Sequence, residues 1–346
     1  MLALFALVLW WWLSPVSPVS VRKGANSSSD KTPTTVEQTV GPIITLLPSQ
    51  TFLKRVNSIA LTSDGETAAT AEEDGSIHVW QVRSGQEPRH FRDPANSAAM
   101  RAVALGPDGE AMVVGGVDGK IRFWRTSSGT APKMITSHTG RLYEVYFSVD
   151  GQRLASTGID REEVKAVRLW SVSENFRRVQ TFRIPRSAEI LDVSPDLGLV
   201  ALYSNTDRRV ELWSIDGRMV RPLDNSVRFV IGTFSSDGEW FAAASERGEV
   251  SVWQVKDGRQ RMDLGGVTEE VVSIAVHHGG ELAAVGCQDG SIYLWDLSHD
   301  PSSNKPKVIK EHQQQVFSLT FSANGRILAS GGKDGKIRIW EIKHSG

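Results

Sequence analysis

Seven tryptophans recur along this chain at nearly constant spacing, and that rhythm limits the fold more than any other feature. Trp80, Trp124, Trp170, Trp213, Trp253, Trp295 and Trp340 are separated by 44, 46, 43, 40, 42 and 45 residues. A period of that length marks a repeat architecture in which each unit is one supersecondary motif. Each tryptophan closes a short β-branched or aromatic run, such as Ile77-His78-Val79-Trp80 or Ile337-Arg338-Ile339-Trp340. Such runs are strands. The order upstream is also fixed. In the last unit Val316–Phe321 reads as a strand and Ser322-Ala323-Asn324-Gly325 as a turn. A small-residue strand, Ile327–Gly331, then leads through a tight Lys333-Asp334-Gly335 turn to the tryptophan strand. A less regular fourth strand follows each tryptophan, as around Arg178–Phe182 and Lys307–Lys310. Ten Asp-Gly dipeptides punctuate the pattern. Asp-Gly between hydrophobic runs is a hairpin signal because the tight turn needs positive φ. No ten-residue helical pattern occurs between Val56 and Ile342. The expectation is an all-β fold, a seven-bladed β-propeller of four-stranded antiparallel blades.

The units resemble those of WD40-repeat proteins over residues from about 43 to 343. In that family a unit carries an upstream His, a Ser or Thr in the second strand, an Asp in the next turn, and Trp-Asp at the end of the third strand. The last unit supplies His312, Ser330, Asp334 and Trp340. The third supplies His138, Ser156, Asp160 and Trp170, with an insertion, Arg161–Lys165, that lengthens its turn. The resemblance implies that these side chains form a hydrogen-bonded chain from Asp through His and Ser to Trp. The physics is sound, because a buried indole N–H needs an acceptor and a hydroxyl can relay it. The turn Asp stands six residues before Trp at Asp74, Asp118, Asp207, Asp289 and Asp334, whereas the fifth unit has Arg247 there. Trp295-Asp296 is the one literal Trp-Asp pair.

The last repeat ends after Glu341-Ile342, without a following fourth strand. Residues 42–47 are apolar, precede the first unit, and are expected to pair with the Lys336–Ile342 strand and close the ring. Closure protects an open sheet edge. The propeller domain is therefore set at 42–346. Residues 22–41 read as a polar linker, with Asn26-Ser27-Ser28 as a glycosylation sequon. Residues 1–21 read as an export signal or a membrane anchor. The apolar run 2–13 would span roughly 18 Å as a helix, short of the roughly 30 Å hydrocarbon core. No Lys or Arg precedes it, and Arg22 and Lys23 follow it. The chain is thus expected to be secreted, periplasmic or membrane-associated, with a cytoplasmic location as the alternative.

Lys plus Arg number 39 and Asp plus Glu 40, for a net charge of -1. That balance gives no global attraction to nucleic acid. The single cysteine, Cys287, lies in an Ala-Val-Gly-Cys strand and reads as a small buried residue. His277-His278-Gly279-Gly280 replaces the usual turn and reads as solvated. Asp160, Glu162 and Glu163 read as a solvated acidic loop. No hydrolase, metalloprotease or phosphate-loop motif occurs. No catalytic residue, metal ligand or cofactor is assigned. The expected function is a non-catalytic scaffold for protein or peptide partners; the alternative is a propeller hydrolase or quinone-dependent enzyme with a site in the channel. The resemblance places contacts beside the start of each first strand, at Arg55, Asn57, Arg101, Arg141, Tyr143, Glu189, Arg228 and Phe317. It adds Glu73, Gln288 and Lys333, each just before the turn position. Arg and aromatic residues are frequent interface anchors, and four arginines favour an acidic or phosphorylated partner.

Overall fold

A computed structural model describes residues 43–47, 50–52, 54–95, 98–128, 131–223, 227–298 and 305–343. The hydrophobic segment 1–21 and the linker 22–41, with the expectations attached to them, lie outside the described residues. No helix among the described residues is long and apolar enough to cross a membrane.

The chain forms seven four-stranded antiparallel sheets, the blades of a propeller. The first strand is β1 (Ile43–Leu46). Blade 1 follows as β2 (Val56–Leu61), β3 (Thr67–Glu72), β4 (Ser76–Gln81) and β5 (Arg89–Arg92). Blade 2 is β6 (Met100–Leu105), β7 (Ala111–Gly116), β8 (Lys120–Arg125) and β9 (Lys133–Thr136). Blade 3 is β10 (Leu142–Phe147), β11 (Arg153–Ile159), β12 (Lys165–Ser171) and β13 (Arg177–Arg183). Blade 4 is β14 (Ala188–Val193), β15 (Leu199–Ser204), β16 (Arg209–Ser214) and β17 (Met219–Leu223). Blade 5 is β18 (Phe229–Phe234), β19 (Trp240–Ser245), β20 (Val250–Gln254) and β21 (Gln260–Leu264). Blade 6 is β22 (Val271–Val276), β23 (Leu282–Cys287), β24 (Ser291–Asp296) and β25 (Lys307–Lys310). Blade 7 combines β26 (Val316–Phe321), β27 (Ile327–Gly332) and β28 (Ile337–Lys343) with β1. There Ile43 lies opposite Lys343 and Leu46 opposite Trp340, so the last blade draws strands from both sides of the repeat array.

The tryptophan rhythm has a packing cause. A hydrophobic cluster fills each interface between neighbouring blades. Each repeat tryptophan faces the preceding blade. Trp80 packs with Ile327 and Ile339 of blade 7, and Trp124 with Ile77 and Phe91 of blade 1. Trp170 packs with Ile121 and Val113 of blade 2, and Trp253 with Leu212 and Tyr203 of blade 4. One indole per period fills one wedge of the ring, and burying such a side chain contributes roughly 2–3 kcal/mol.

The turns use the expected residues in an unexpected way. Positive φ falls on the glycine of Asp-Gly, as at Gly65 (74°) and Gly335 (71°), and not on the aspartate. The aspartate instead accepts a backbone N–H two residues on, as Asp64 does from Glu66 at 3.0 Å and Asp334 from Lys336 at 3.1 Å. Between first and second strands a hydroxyl two residues earlier also donates to the same side chain, a carboxylate or its amide counterpart: Thr62 to Asp64 at 2.6 Å and Ser322 to Asn324 at 2.7 Å. Blade 4 places Leu197 at the glycine position with φ 59°, a conformation a branched side chain adopts only under tertiary constraint; the side chain is fully buried in the cluster between blades 3 and 4. Blade 6 corrects the reading of its histidine pair. His277 is buried, and its Nε2 lies 3.0 Å from the carbonyl of Gly325 in blade 7. Any Cβ at Gly325 would collide with that ring. His278 alone stays exposed, near Asp237.

Candidate functional site

The first strands of the blades, β2, β6, β10, β14, β18, β22 and β26, approach one another around the centre of the ring. Each carries a register shift against its neighbour. A bulge leaves one residue unpaired and re-aims its side chain. In six blades the bulged residue is the second of the strand: Asn57, Arg101, Tyr143, Val230, Val272 and Phe317. Four of these are among the contact residues expected from sequence. Blade 4 differs. Its shift lies between Ile190 and Asp192, and Glu189 pairs regularly with Tyr203.

At this end of the ring guanidinium groups meet aromatic rings. Arg55 lies 5.1 Å from the Phe317 ring centroid, and Arg101 lies 5.3 Å from that of Tyr143. Cation–π contacts of this kind hold the planar group without neutralising it. Arg55 also donates from Nε to Asn57 Oδ1 at 2.9 Å and pairs with Glu73 at 3.3 Å. Burial lowers the pKa of Arg101, with Arg141 and Arg55 adding to the effect and Glu144 opposing it. Three guanidinium groups therefore share one field. Glu189 pairs with Lys165 at 2.5 Å. Arg228 is exposed at the start of blade 5, Gln288 follows β23, and Lys333 is exposed beyond β27. These three belong to other blades than the Arg101–Tyr143 pair. The structure thus gathers Arg55, Asn57, Glu73 and Phe317, and Arg101, Tyr143 and Arg141, and leaves Glu189, Arg228, Gln288 and Lys333 outside these contacts.

Sequence reasoning missed what lies deeper on the same strands. The first strands of blades 3 and 4 approach each other least closely. Across that gap the Tyr146 hydroxyl bonds Asp192. Asp192 also accepts the N–H of Val193 at 2.8 Å and of Phe234, in blade 5, at 2.7 Å. Burial pushes the Asp192 carboxyl up to about 6. Crowding by the central strands pushes Glu144, whose side chain still reaches solvent, up to about 7 against the pull of Arg101. Burial also raises the Tyr146 phenol well above its ordinary value. Once the bulges are known, the residues that follow them are Ser58, Ala102, Glu144, Asp192, Ile231, Ser273 and Ser318, and only blades 3 and 4 place an acid there.

Behind the face run the polar networks. In blade 7 His312 Nδ1 lies 3.0 Å from Asp334 Oδ1 and Nε2 lies 2.7 Å from Ser330 Oγ. Blade 3 departs from the expected chain. His138 Nδ1 is 3.8 Å from Asp160, because Arg168 stands between them. Its guanidinium reaches His138 Nδ1 at 2.8 Å and clasps both oxygens of Asp160. Ser156 Oγ receives the Trp170 indole N–H at 3.1 Å. The residue two before the tryptophan also does this work elsewhere. In blade 2 Arg122, wholly buried, bridges Asp118 and Asp93 at 2.8 Å each. In blade 1 His78 pairs with Glu72 at 2.5 Å, and in blade 4 Glu211 accepts the Trp213 indole N–H at 2.9 Å. Cys287 is buried, which pushes its thiol up to about 12. Among the described residues no three His, Cys, Asp or Glu converge as metal ligands.

A closed ring of such blades, with a tryptophan sealing each interface, defines a repeat-propeller class. The family model described as "WD domain, G-beta repeat" matches residues 46–81, 86–125, 221–254, 258–296 and 303–341, more than half of the chain. The chain belongs to the WD40-repeat family. Each matched segment begins at or before the outermost strand of one blade and ends in or beside the third strand of the next. The matches leave 126–220, which holds blade 3 and the first three strands of blade 4, uncovered. The chain is 26% identical over 259 residues to the periodic tryptophan protein 2 homolog of Dictyostelium discoideum, covering 73% of this chain and 23% of that protein. It is 24% identical over 174 residues to the WD repeat-containing protein 91 homolog of the same organism, covering 48% and 22%. With WD repeat-containing protein 44 of Xenopus laevis it shares 26% over 117 residues, covering 33% and 13%. The chain spans less than a quarter of the length of these relatives.

Proposed function

We propose that the protein is an interaction scaffold that receives a protein or peptide segment on the face where Arg55, Arg101, Arg141, Tyr143 and Phe317 meet. The observation that carries this reading is the pairing of bulged aromatic residues with guanidinium groups, Phe317 with Arg55 and Tyr143 with Arg101. Arg and aromatic side chains held in place by neighbours supply binding energy at small entropic cost. Three guanidinium groups in one field favour a carboxylate- or phosphate-bearing segment, which a planar fork meets with two parallel hydrogen bonds. Arg228, Lys333, Gln288 and Glu189 would contact flanking parts of the partner.

The test is direct. Partners recovered with the intact chain are measured against the Arg101→Ala/Tyr143→Ala variant, with thermal unfolding as the control for folding. Binding is expected to weaken by about tenfold or more, equivalent to about 1.4 kcal/mol. Partners held equally by both forms would remove this face from consideration. Export or membrane tethering through residues 2–13 belongs to the same proposal. Cell fractionation and sequencing of the mature amino terminus decide it.

A further inference from the structure

A second surface lies on the opposite side of the sheet from the channel. The outermost strand of each blade has a partner on one edge only. A free edge presents unpaired N–H and C=O groups, and proteins keep such edges short, interrupted or covered. Most blades here follow that rule. Among the described residues β5, β9, β25 and β1 have four residues each, and β17 and β21 have five. Pro222 further interrupts β17. Blade 3 has the longest of these strands. Its outermost strand, β13, runs for seven residues, Arg-Arg-Val-Gln-Thr-Phe-Arg, with no proline and a single interruption, a bulge at Val179.

This strand is held from behind and open in front. Phe182 is buried and stacks on Trp213 of blade 4 at a centroid distance of 6.0 Å. Gln180 Nε2 donates to the Ile215 carbonyl at 2.8 Å. Arg177, Arg178, Val179, Thr181 and Arg183 are exposed, and Val179 keeps 50% of its surface in water. Arg186 is exposed three residues further on. Arg177 pairs with Glu174. Arg178, Arg183 and Arg186 have no acidic partner among the described residues. The edge is therefore long and positive, with a bulged apolar side chain at its middle.

We propose that β13 is a docking edge for an extended acidic polypeptide segment, which adds to blade 3 as a fifth strand. Strand addition takes its affinity from main-chain hydrogen bonds and its selectivity from alternate side chains. Acidic residues at alternate positions would meet the arginines, and β-branched residues between them would cover Val179 and Thr181. A nucleic acid would satisfy the arginines, but its phosphodiester chain offers no alternating donors and acceptors for the edge and would lie against Val179. The edge thus fits a peptide better than a polyanion.

The test uses the full chain and a fluorescent peptide of about nine residues, enough to span the strand, alternating Glu with Val and Thr. Saturable binding is expected, at least tenfold weaker for the Arg178→Glu/Arg183→Glu variant at an unchanged melting temperature. A peptide of the same side chains, N-methylated at alternate amides, is expected to lose binding by a similar factor. Equal binding of the methylated peptide, or equal displacement by an oligouridylate of matched charge, would reduce the surface to a simple positive patch and overturn the proposal. Absence of binding at millimolar peptide would overturn it as well.

Discussion

Blades 3 and 7 carry the same four residue types and hold them with opposite proton direction. In blade 7 Asp334, as a carboxylate, can only accept, so His312 carries its proton on Nδ1. Nε2 is then an acceptor, and Ser330 donates to it at 2.7 Å. In blade 3 the neighbour of His138 Nδ1 is Arg168, which can only donate. The proton must sit on Nε2, which faces Ser156 Oγ at 3.2 Å. Ser156 thus receives N–H groups from both His138 and Trp170 and passes its own hydrogen to Ser137 at 2.7 Å. Both blades place an arginine two residues before the tryptophan. Arg338 turns to Glu311, 3.7 Å away, whereas Arg168 turns inward. The turns explain the choice. The short Asp334-Gly335 turn holds its carboxylate against the imidazole, and the Arg161–Lys165 insertion carries Asp160 far enough away for a guanidinium to enter. Partner identity in a motif fixes that a network forms, and local backbone length fixes which way it points.

The largest expected effect concerns how the two blades are assembled. Blade 3 is contiguous in sequence, whereas blade 7 depends on β1. Deleting residues 42–48 is expected to lower the melting temperature by on the order of 10 °C or to cause aggregation, since it removes an outer strand and bares the edge of β28. An unchanged melting temperature would show that blade 7 stands without its borrowed strand. Next come the two aspartates. Asp160→Ala leaves the Arg168 guanidinium, 9% exposed, without its counter-ion. The expected loss is about 3 kcal/mol. Asp334→Ala leaves His312 Nδ1–H and two backbone N–H groups seeking water, an expected loss of about 2 kcal/mol. Adding Arg168→Leu should restore part of the first loss. A larger loss at Asp334, with no rescue by Arg168→Leu, would mean that the arginine is not the centre of the blade 3 network. Urea unfolding of the four proteins measures all of this.

The repeat, the four-strand order and the pairing partner of the last strand were legible in the chain because each depends on local residue type. Tryptophan spacing reports the distance between wedges, and Asp-Gly reports a turn. The bulges were not legible, since a register shift belongs to two strands at once. Their consequence, that Asn57, Arg101, Tyr143 and Phe317 face the same mouth, came from family resemblance rather than from the residues. Arg168 was missed for a similar reason. Its motif partners were visible, but the space it fills exists only once the insertion bends. His277 shows the limit of composition: a His-His-Gly-Gly turn looks solvated, yet the neighbouring blade closes over one ring. The carboxyls of Glu144 and Asp192 were hidden because a single acidic residue in a strand gives no sign of facing a channel.

The most specific effect is the pH response of His138. Burial and Arg168 lower its pKa to about 4, from an ordinary value near 6.5. Between these values the unfolded chain binds a proton that the folded chain refuses. Stability therefore rises with pH through that window, and it falls as the pH drops from about 6.5 to about 4, by on the order of 3 kcal/mol if the whole shift is felt. Asp192 acts in the opposite sense. Its folded pKa is raised to about 6, so lowering the pH through the same range relieves its burial. The intact protein should thus change less with pH than His138 alone would make it. A His138→Asn variant removes one side of the balance. The stability gap between wild type and variant is expected to narrow as the pH falls from 6.5 to 4. A gap constant over that range would mean that His138 is not held neutral by its surroundings. Long-range proton–nitrogen correlation spectra at neutral pH read the same difference without a mutation. They are expected to show the ring proton of His138 on Nε2 and a proton of His312 on Nδ1. Finding both rings protonated on Nδ1 would erase the distinction between the two blades, since Arg168 would then have to turn away and the blade 3 chain would run as that of blade 7 does.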